Sequence, residues 1–154
     1  MSQGARRRVR NASLTVTMAR RFPEAEVYGI DCWGADWGYS RRQCERNAQL
    51  EGVAERVVFD RQSASSLAFP DGDFDVVVSC LTFHEVNDAP DKPVALREAL
   101  RVLRSGGQFV FLDLFGDSRF FGSPEKVRQI LADSCADAAC LNKLGHYMAL
   151  RFRS

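Results

Sequence analysis

At 154 residues the chain has the length of one domain, which is enough to bury an apolar core. Apolar residues make up 45% of it and the formal net charge is +1, so the composition does not indicate a nucleic-acid or membrane-surface partner. No apolar run reaches the roughly 18 residues of a membrane-spanning helix. The five cysteines lack Cys-x-x-Cys spacing and no signal peptide is present, which favours a reducing cytoplasm over a disulfide framework or a metal site.

The chain divides into a short basic start and one long domain. Residues 1–12 contain the run Arg6–Arg10, which is rich in charge and poor in apolar side chains. Such a run is typical of a solvated, disordered terminus rather than of an arm that binds nucleic acid. We therefore expect residues 13–154 to form a single domain.

This domain is predicted to begin with a helix. Leu14, Met18 and Phe22 follow one another at intervals of four residues, which places an apolar stripe on a helix that packs on a sheet. Pro23 is expected to end the helix, because proline lacks an amide hydrogen and restricts the residue before it.

Short apolar strands then alternate with helices. Each predicted strand is rich in β-branched or aromatic residues, and the four strands are residues 26–31, 56–59, 74–80 and 109–112. This alternation predicts an α/β domain with a mostly parallel sheet that helices cover on both faces. In such sheets the ligand binds at the carboxyl ends of the strands.

Several helix ends have their own signals. Ser40 and Gln43 have the spacing of a capping box, and Gly52 suits the left-handed position after a helix. Ser123, which precedes a proline, indicates another helix start. Residues 145–154 alternate weakly and are predicted to be a strand.

A third helix is predicted from Asp91, which acts as its cap, with Pro93 in its first turn. Its apolar stripe consists of three leucines, Leu96, Leu100 and Leu103. Gly106 and Gly107 are expected to turn the chain from this helix into the strand at residues 109–112.

Asp31 is the first candidate for binding a nucleotide cofactor. It ends an apolar strand, and an ionised carboxylate there accepts hydrogen bonds from both hydroxyls of a ribose. A solvated turn aspartate or a helix cap is the alternative. Cys32 and Trp33 follow it and suit the flat face of an adenine, although a tryptophan that packs in the core or a loop explains Trp33 as well.

The next strand ends supply further candidates. Ser63 and Ala64 offer a hydroxyl and a backbone amide to an adenine edge, although a serine there also caps a loop. Cys80 ends the third strand and joins the cofactor-binding candidates. His84 forms an acid/base pair with Glu85 and is the candidate catalytic residue, since histidine titrates near neutrality. The alternative is a histidine that only braces its loop.

These residues together resemble the class I S-adenosylmethionine-dependent methyltransferases that act on small molecules. The resemblance extends from Tyr28 to Phe115, and three phrases carry it in a specific order: Gly29–Asp31, Phe69–Ser79 and Glu98–Gly107. It implies a Rossmann-like fold, S-adenosylmethionine as the cofactor, and methyl transfer to an unidentified small-molecule acceptor.

A narrower resemblance involves a bacterial and archaeal subgroup of uncharacterised methyltransferases. The phrases Asp31–Gly34 and Phe83–Val86, with Asp113–Phe115, are similar to that subgroup. Its members often carry an apolar, membrane-associated segment upstream. Neither resemblance implies a nucleic-acid partner.

The chain departs from the family at its start. Class I methyltransferases begin with a strand that runs into a turn of the form Asp-x-Gly-x-Gly-x-Gly, whereas residues 4–11 contain Gly4 as their one glycine and no acid. A side chain on that turn would intrude where glycine lets the backbone approach the ligand. We therefore expect a truncated or misassigned start, with the sheet one strand short beside Val27–Ile30. A degenerate cofactor site is the alternative.

The resemblance to methyltransferases and the missing glycine-rich turn lead to two hypotheses of function. The first is an enzyme that transfers a methyl group from S-adenosylmethionine. The second is a non-catalytic or truncated methyltransferase-like domain with impaired cofactor binding. A nicotinamide-dependent dehydrogenase ranks third, because Gly106 and Gly107 do not lie where its glycine fingerprint is needed.

Overall fold

The structure, a computed structural model, describes residues 12–34, 40–134, 138–144 and 147–152, and side chains within 14–34 and 40–134. The chain separates into two compact units, Met1–Gln62 and Ser63–Ser154. Each unit has its own sheet and its own apolar core. Our predictions for residues 1–11, including the stretch poor in glycine, fall outside the described residues, whereas Ala12 already belongs to the first helix.

The first unit contains two helices and two parallel strands: α1 (Ala12–Arg21), β1 (Val27–Asp31), α2 (Arg41–Leu50) and β2 (Val57–Arg61). β1 and β2 are parallel, in register from Val27 with Val57 to Asp31 with Arg61. Parallel neighbours need a crossover connection, which α2 provides. The buried apolar side chains of this unit are Val16, Ala19, Cys44, Ala48, Val53 and Phe59.

The helix α1 is confirmed, but its predicted apolar stripe is wrong. Phe22 follows the helix and is 49% exposed, and Leu14 is only partly buried. The side chains that α1 buries are instead Thr15, Val16 and Ala19. These smaller residues suit a close approach between α1 and β1.

Gly29 in β1 explains why small residues face inward there. A Cβ atom at this position would lie 2.7 Å from Phe59 Cδ1 and 2.8 Å from Thr15 Oγ1. Distances under 3.0 Å are shorter than real carbon contacts. Gly29 is therefore needed for packing inside the first unit.

Two predicted helix starts are confirmed. The Ser40 hydroxyl accepts a hydrogen bond from Gln43 N at 3.3 Å, and Ser40 N donates to Gln43 Oε1 at 2.7 Å, which completes the capping box of α2. Gly52 after this helix has a φ of 69°, as expected for a left-handed end. Ser123 accepts from Lys126 N at 3.2 Å at the start of the last helix.

The α-helices and strands described in the second unit are β3 (Phe74–Cys80), α3 (Pro93–Arg101), β4 (Leu103–Asp113), α4 (Ser118–Phe121), α5 (Pro124–Ser134), β5 (Ala138–Leu144) and β6 (Tyr147–Phe152). Its strand order is β3-β4-β6-β5. β3 and β4 are parallel, and the other two pairs are antiparallel. The expected α/β fold with parallel strands is confirmed, although two of the three strand pairs in this sheet are antiparallel, and β6 matches the strand predicted near the end of the chain.

The strand β4 begins earlier than predicted. Its register with β3 shifts between the pair Phe74 and Leu103 and the pair Val76 and Gln108, so the residues between form an irregularity within the strand. Gly107 lies in it, and a Cβ atom there would approach the carbonyl oxygen of Asp75 to 2.9 Å. Gly107 therefore lets two strand backbones come close, and Gly106, with a φ of 72° and open space around it, supplies the left-handed residue of the irregularity, which lies within β4 and not before it.

The helix α3 begins after Lys92, with no side-chain cap, so our prediction of Asp91 as the cap is wrong. The Asp91 carboxylate binds Lys126 at 3.2 Å and Arg97 at 3.5 Å instead. The cap position is occupied by Lys92, whose backbone angles are helical and whose ammonium group has no acceptor for the helix amides, and Asp91 lies one residue before it. Leu96 and Leu100 are buried as expected; Leu103, the third residue of the predicted stripe, belongs to β4 and packs on the same core.

A charged pair on α3 holds the segment before β3. Glu98 accepts from Arg101 Nε at 2.9 Å and from Leu67 N at 3.0 Å. Arg101 in turn donates to the carbonyl oxygens of Leu67 at 3.0 Å and Phe69 at 2.9 Å. The hydrogen bonds from Arg101 lower the pKa of Glu98, so this carboxylate is stabilised in its ionised form.

Candidate active site

In the first unit, the turn after β1 is built around Asp31. Asp31 Oδ1 accepts a hydrogen bond from Trp33 N at 2.8 Å, and the Asp31 carbonyl oxygen accepts from Gln62 N at 3.1 Å. Arg61 Nε donates to the carbonyl oxygen of Cys32 at 3.0 Å. The carboxylate is therefore fixed at the carboxyl end of a parallel strand, the position at which the sequence predicts ribose binding.

Trp33 packs within the first unit. Its ring meets Phe59 edge-on, with centroids 6.4 Å apart, and it contacts the apolar cluster there. Burial raises the pKa of the Cys44 thiol, and the neighbouring Trp33 indole opposes that effect. Packing therefore accounts for the tryptophan, as its alternative interpretation expected. Cys32 is exposed, and adenine binding by Cys32 and Trp33 stays a prediction.

Ser63 belongs to a hydrogen-bonded loop in the second unit. Its hydroxyl lies 2.8 Å from the Ser65 hydroxyl and accepts from Ser65 N at 3.1 Å. Ser65 Oγ donates to Asp88 Oδ2 at 3.0 Å, and hydrogen bonds from Ser63 and then Ser65 lower the pKa of Asp88. Ala64 packs on the apolar core of this unit. The serine thus braces its loop, and adenine binding by Ser63 and Ala64 is still a prediction.

The end of β3 carries backbone strain. Leu81, directly after Cys80, has a φ of 53°, in the left-handed region that leucine rarely adopts. Its side chain is 42% exposed, and its amide donates to the Leu112 carbonyl oxygen at 2.7 Å. Trp33 is the other non-glycine residue with positive φ in the described ranges, with a φ of 42°, and its ring packs on the apolar cluster of the first unit.

Cys80 is exposed at the same strand end. Partial burial and then the charge of Asp113 raise the pKa of its thiol. The thiol therefore stays protonated near neutral pH, which disfavours Cys80 as a nucleophile.

Asp113, at the end of β4, is the centre of a polar cluster that includes the predicted catalytic residue, His84. Its side chain is fully buried, and its Oδ2 accepts from Thr82 N at 3.0 Å and Phe83 N at 2.8 Å. Its Oδ1 accepts from Leu114 N at 2.7 Å and lies 2.5 Å from His84 Nδ1. One carboxylate therefore holds the turn after β3 and the imidazole on that turn.

The His84 imidazole is fixed on three sides. Asp113 holds Nδ1, Glu85 Oε1 lies 3.3 Å from Nε2, and the Phe120 ring lies edge-on with centroids 5.5 Å apart. The side chain of His84 is 15% exposed, whereas that of Glu85 is 41% exposed. An imidazolium formed here would have a carboxylate beside each nitrogen.

The sequence-predicted residues therefore fall into separate groups. Asp31, Cys32 and Trp33 share one turn of the first unit. The candidates of the second unit, Ser63, Ala64, Cys80 and His84, do not form one hydrogen-bonded cluster: Ser63 bonds toward Asp88, and His84 bonds to Asp113.

Asp113 was not recognised as a site residue from the sequence. The phrase Asp113–Phe115 belongs to the narrower resemblance but assigns no role, and the physical signal is alternation: Asp113 follows Phe109 and Phe111 at intervals of two and therefore faces the core as they do. A carboxylate in that position requires buried hydrogen-bond donors.

Two further findings concern the described part of the chain. It contains no group of three or more histidine, cysteine or acidic side chains arranged to hold a metal ion. None of its helices has the length and apolar character needed to cross a bilayer.

Residues 10–111, more than half of the chain, match the family model of the methyltransferase domain. The chain belongs to this family. Arsenite methyltransferase of Aquipseudomonas alcaligenes is 38% identical to this methyltransferase domain over 104 residues, which is 60% of the chain and 28% of that protein. The chain spans about a third of the length of the curated relatives it matches.

Solved structures agree on the fold. The YcgJ protein of Bacillus subtilis superposes with a TM-score of 0.65 at 22% identity, over 87% of this chain and 62% of that one. Geranyl diphosphate C-methyltransferase of Streptomyces coelicolor A3(2) gives a TM-score of 0.66 at 14% identity, over 92% of this chain and 67% of that one. At such identities the comparison establishes the Rossmann-like fold of this methyltransferase domain and nothing finer.

Proposed function

We propose that this chain is the catalytic domain of an enzyme that transfers a methyl group from S-adenosylmethionine to a small-molecule acceptor. The family match across residues 10–111 carries the proposal. The names of similar proteins include methyltransferases of arsenite, of sarcosine and dimethylglycine, and of 27-O-demethylrifamycin SV, all small molecules. These relatives favour the methyl-transfer hypothesis over a non-catalytic domain.

The chemistry of Asp31 fits the ribose of S-adenosylmethionine. A carboxylate has about four acceptor positions, and a ribose presents two adjacent hydroxyl donors. Because the Trp33 amide fixes Oδ1, the carboxylate is held in place before the ligand arrives. The other residues to which we assign cofactor contacts are Cys32, Trp33, Ser63, Ala64 and Cys80.

S-adenosylmethionine, when bound, would supply a methyl group that its cationic sulfur activates for transfer to a nucleophilic acceptor. The protein's main task is then to hold the acceptor in line with that methyl group. An acceptor that bears a hydrogen on the attacking atom must also lose a proton. We assign that proton to His84 Nε2, since Nδ1 is engaged by Asp113.

The test is calorimetric titration of S-adenosylhomocysteine into the full chain, with Asp31→Ala beside it. Loss of a charge-assisted acceptor costs about 1.5–3 kcal/mol, so affinity should fall roughly ten- to a hundredfold. Asp133→Ala, which removes an exposed carboxylate on α5, is the charge-matched control and should leave affinity unchanged.

Asp31→Asn keeps an oxygen that accepts from the Trp33 amide but lacks the charge. It therefore separates loss of the ribose contact from disorder of the turn, which Asp31→Ala alone does not. No binding of S-adenosylhomocysteine by the parent chain would contradict the proposed function. Equal affinities of the parent and a folded Asp31→Ala would remove Asp31 from the ribose site and leave the proposed function standing.

A further inference from the structure

Among the described contacts of Asp113, every polar partner is compatible with a carboxylate that only accepts. Three of these groups are backbone amides, from Thr82, Phe83 and Leu114, and amides donate only. An ionised carboxylate suits this surrounding, because it has acceptors alone and no hydrogen that would itself need a partner. The remaining neighbour, His84 Nδ1, at 2.5 Å from Oδ1, must then carry the hydrogen.

Position 113 requires a carboxylic acid, and a neutral polar side chain would not satisfy all of its neighbours. An asparagine oxygen in the place of Oδ2 would serve the amides of Thr82 and Phe83 equally well, so these two contacts alone do not require a charge. The acid is required at Oδ1, where Leu114 N and His84 Nδ1 both need an acceptor. A fully buried carboxylate is costly unless its hydrogen bonds compensate, so its presence on a face shared with Phe109 and Phe111 has to be explained.

The surrounding structure supports a fixed imidazole. The Phe120 ring lies against His84, and Asp113 also anchors the two amides that precede the histidine in the chain. Turning the ring over would break the contact between Nδ1 and Asp113, and the two anchored amides hold the chain before His84 beside that carboxylate. This leaves Nε2 as the nitrogen on the side of Glu85.

We propose that Asp113 is a positioning residue that locks His84 in the tautomer with hydrogen on Nδ1, so that the lone pair of Nε2 is the proton acceptor. The catalytic consequence rests on the proposed function, whereas the tautomer does not. When the acceptor loses its proton during methylation, the proton moves to Nε2 and the resulting imidazolium is paired with Asp113 through Nδ1 and with Glu85 through Nε2.

Nitrogen-15 NMR of histidine-labelled protein tests this directly. The chain has two histidines, so His146→Gln leaves the His84 signals alone in the spectrum. In the neutral form we expect the hydrogen on Nδ1 and an unprotonated Nε2. In Asp113→Asn an amide NH₂ in the place of Oδ1 faces Nδ1, so the hydrogen should move to Nε2. Glu85→Gln is the control and should keep the parent tautomer.

Hydrogen on Nε2 in the parent, or an unchanged tautomer in a folded Asp113→Asn, would overturn the proposal. The parent measurement decides even if Asp113→Asn does not fold. These spectra need no cofactor, so a chain that fails to bind S-adenosylhomocysteine but shows hydrogen on Nδ1 would contradict the proposed function and keep the Asp113–His84 pair.

Discussion

The strained backbone at Leu81 predicts an unusual order of stabilities. Leu81→Gly and Leu81→Ala remove the same packing contacts beyond Cβ and differ only in that atom. In the left-handed region a Cβ costs roughly 1–2 kcal/mol, whereas glycine normally loses 0.5–1 kcal/mol to alanine through its freer unfolded chain. At a φ of 53° the first term is larger, so the glycine variant should be more stable by about 1 kcal/mol.

Urea unfolding of the two variants, followed by circular dichroism, measures this difference. Ala132→Gly on the exposed side of α5 is the matched control at regular helical angles, where glycine should destabilise by about 1 kcal/mol. If Leu81→Gly unfolds at lower urea than Leu81→Ala, the residue is not strained, and our account of the turn after β3 is wrong.

Two other substitutions test the second unit. Because Arg101 lowers the pKa of Glu98, the ionised pair stabilises the fold above the unfolded pKa of about 4.3, and this contribution is lost as pH falls through the lower folded pKa. Glu98→Gln should therefore lower the free energy of unfolding by about 1–2 kcal/mol at pH 7, and the difference from the parent should disappear in acid. Urea unfolding at several pH values measures this difference. A difference that does not change with pH would contradict a stabilising ion pair between Glu98 and Arg101. Gly107→Ala should cost roughly 1–3 kcal/mol, because its Cβ would meet the carbonyl oxygens of Asp75 and Arg104 at 2.9 Å. A thermal melt checks this, and an unchanged midpoint would show that the strands can separate at no cost.

The features predicted correctly from sequence are local ones. The capping box at Ser40, the left-handed end at Gly52 and the strand Phe74–Cys80 each depend on neighbours within a few residues. The chemistry of those residues determines the backbone conformation directly, so a single sequence is sufficient to place them.

The incorrect or missing predictions concern features that are determined by contacts between residues far apart in the sequence. The buried face of α1 follows from the close approach at Gly29, which no helical periodicity in residues 14–22 reveals. The role of Asp113 depends on donors about thirty residues earlier, in the turn at Thr82 and Phe83. In addition, the sequence alone does not tell whether a carboxylate at the end of a strand faces solvent or the core. That depends on the phase of the strand, meaning which of its two alternating sets of side chains points inward.

That phase has a consequence for insertions and deletions in β4. From Gly107 onward alternate residues are buried, and Val110 on the opposite face is 48% exposed. Removing or adding one residue between Gln108 and Leu112 would turn the rest of the strand over, with Asp113 pointing away from His84. The domain would then lose the anchor of its histidine while every residue named in the site remained in the sequence. Length variation among relatives should therefore be confined to the irregular stretch at 104–106, where Gly106 has open space around it.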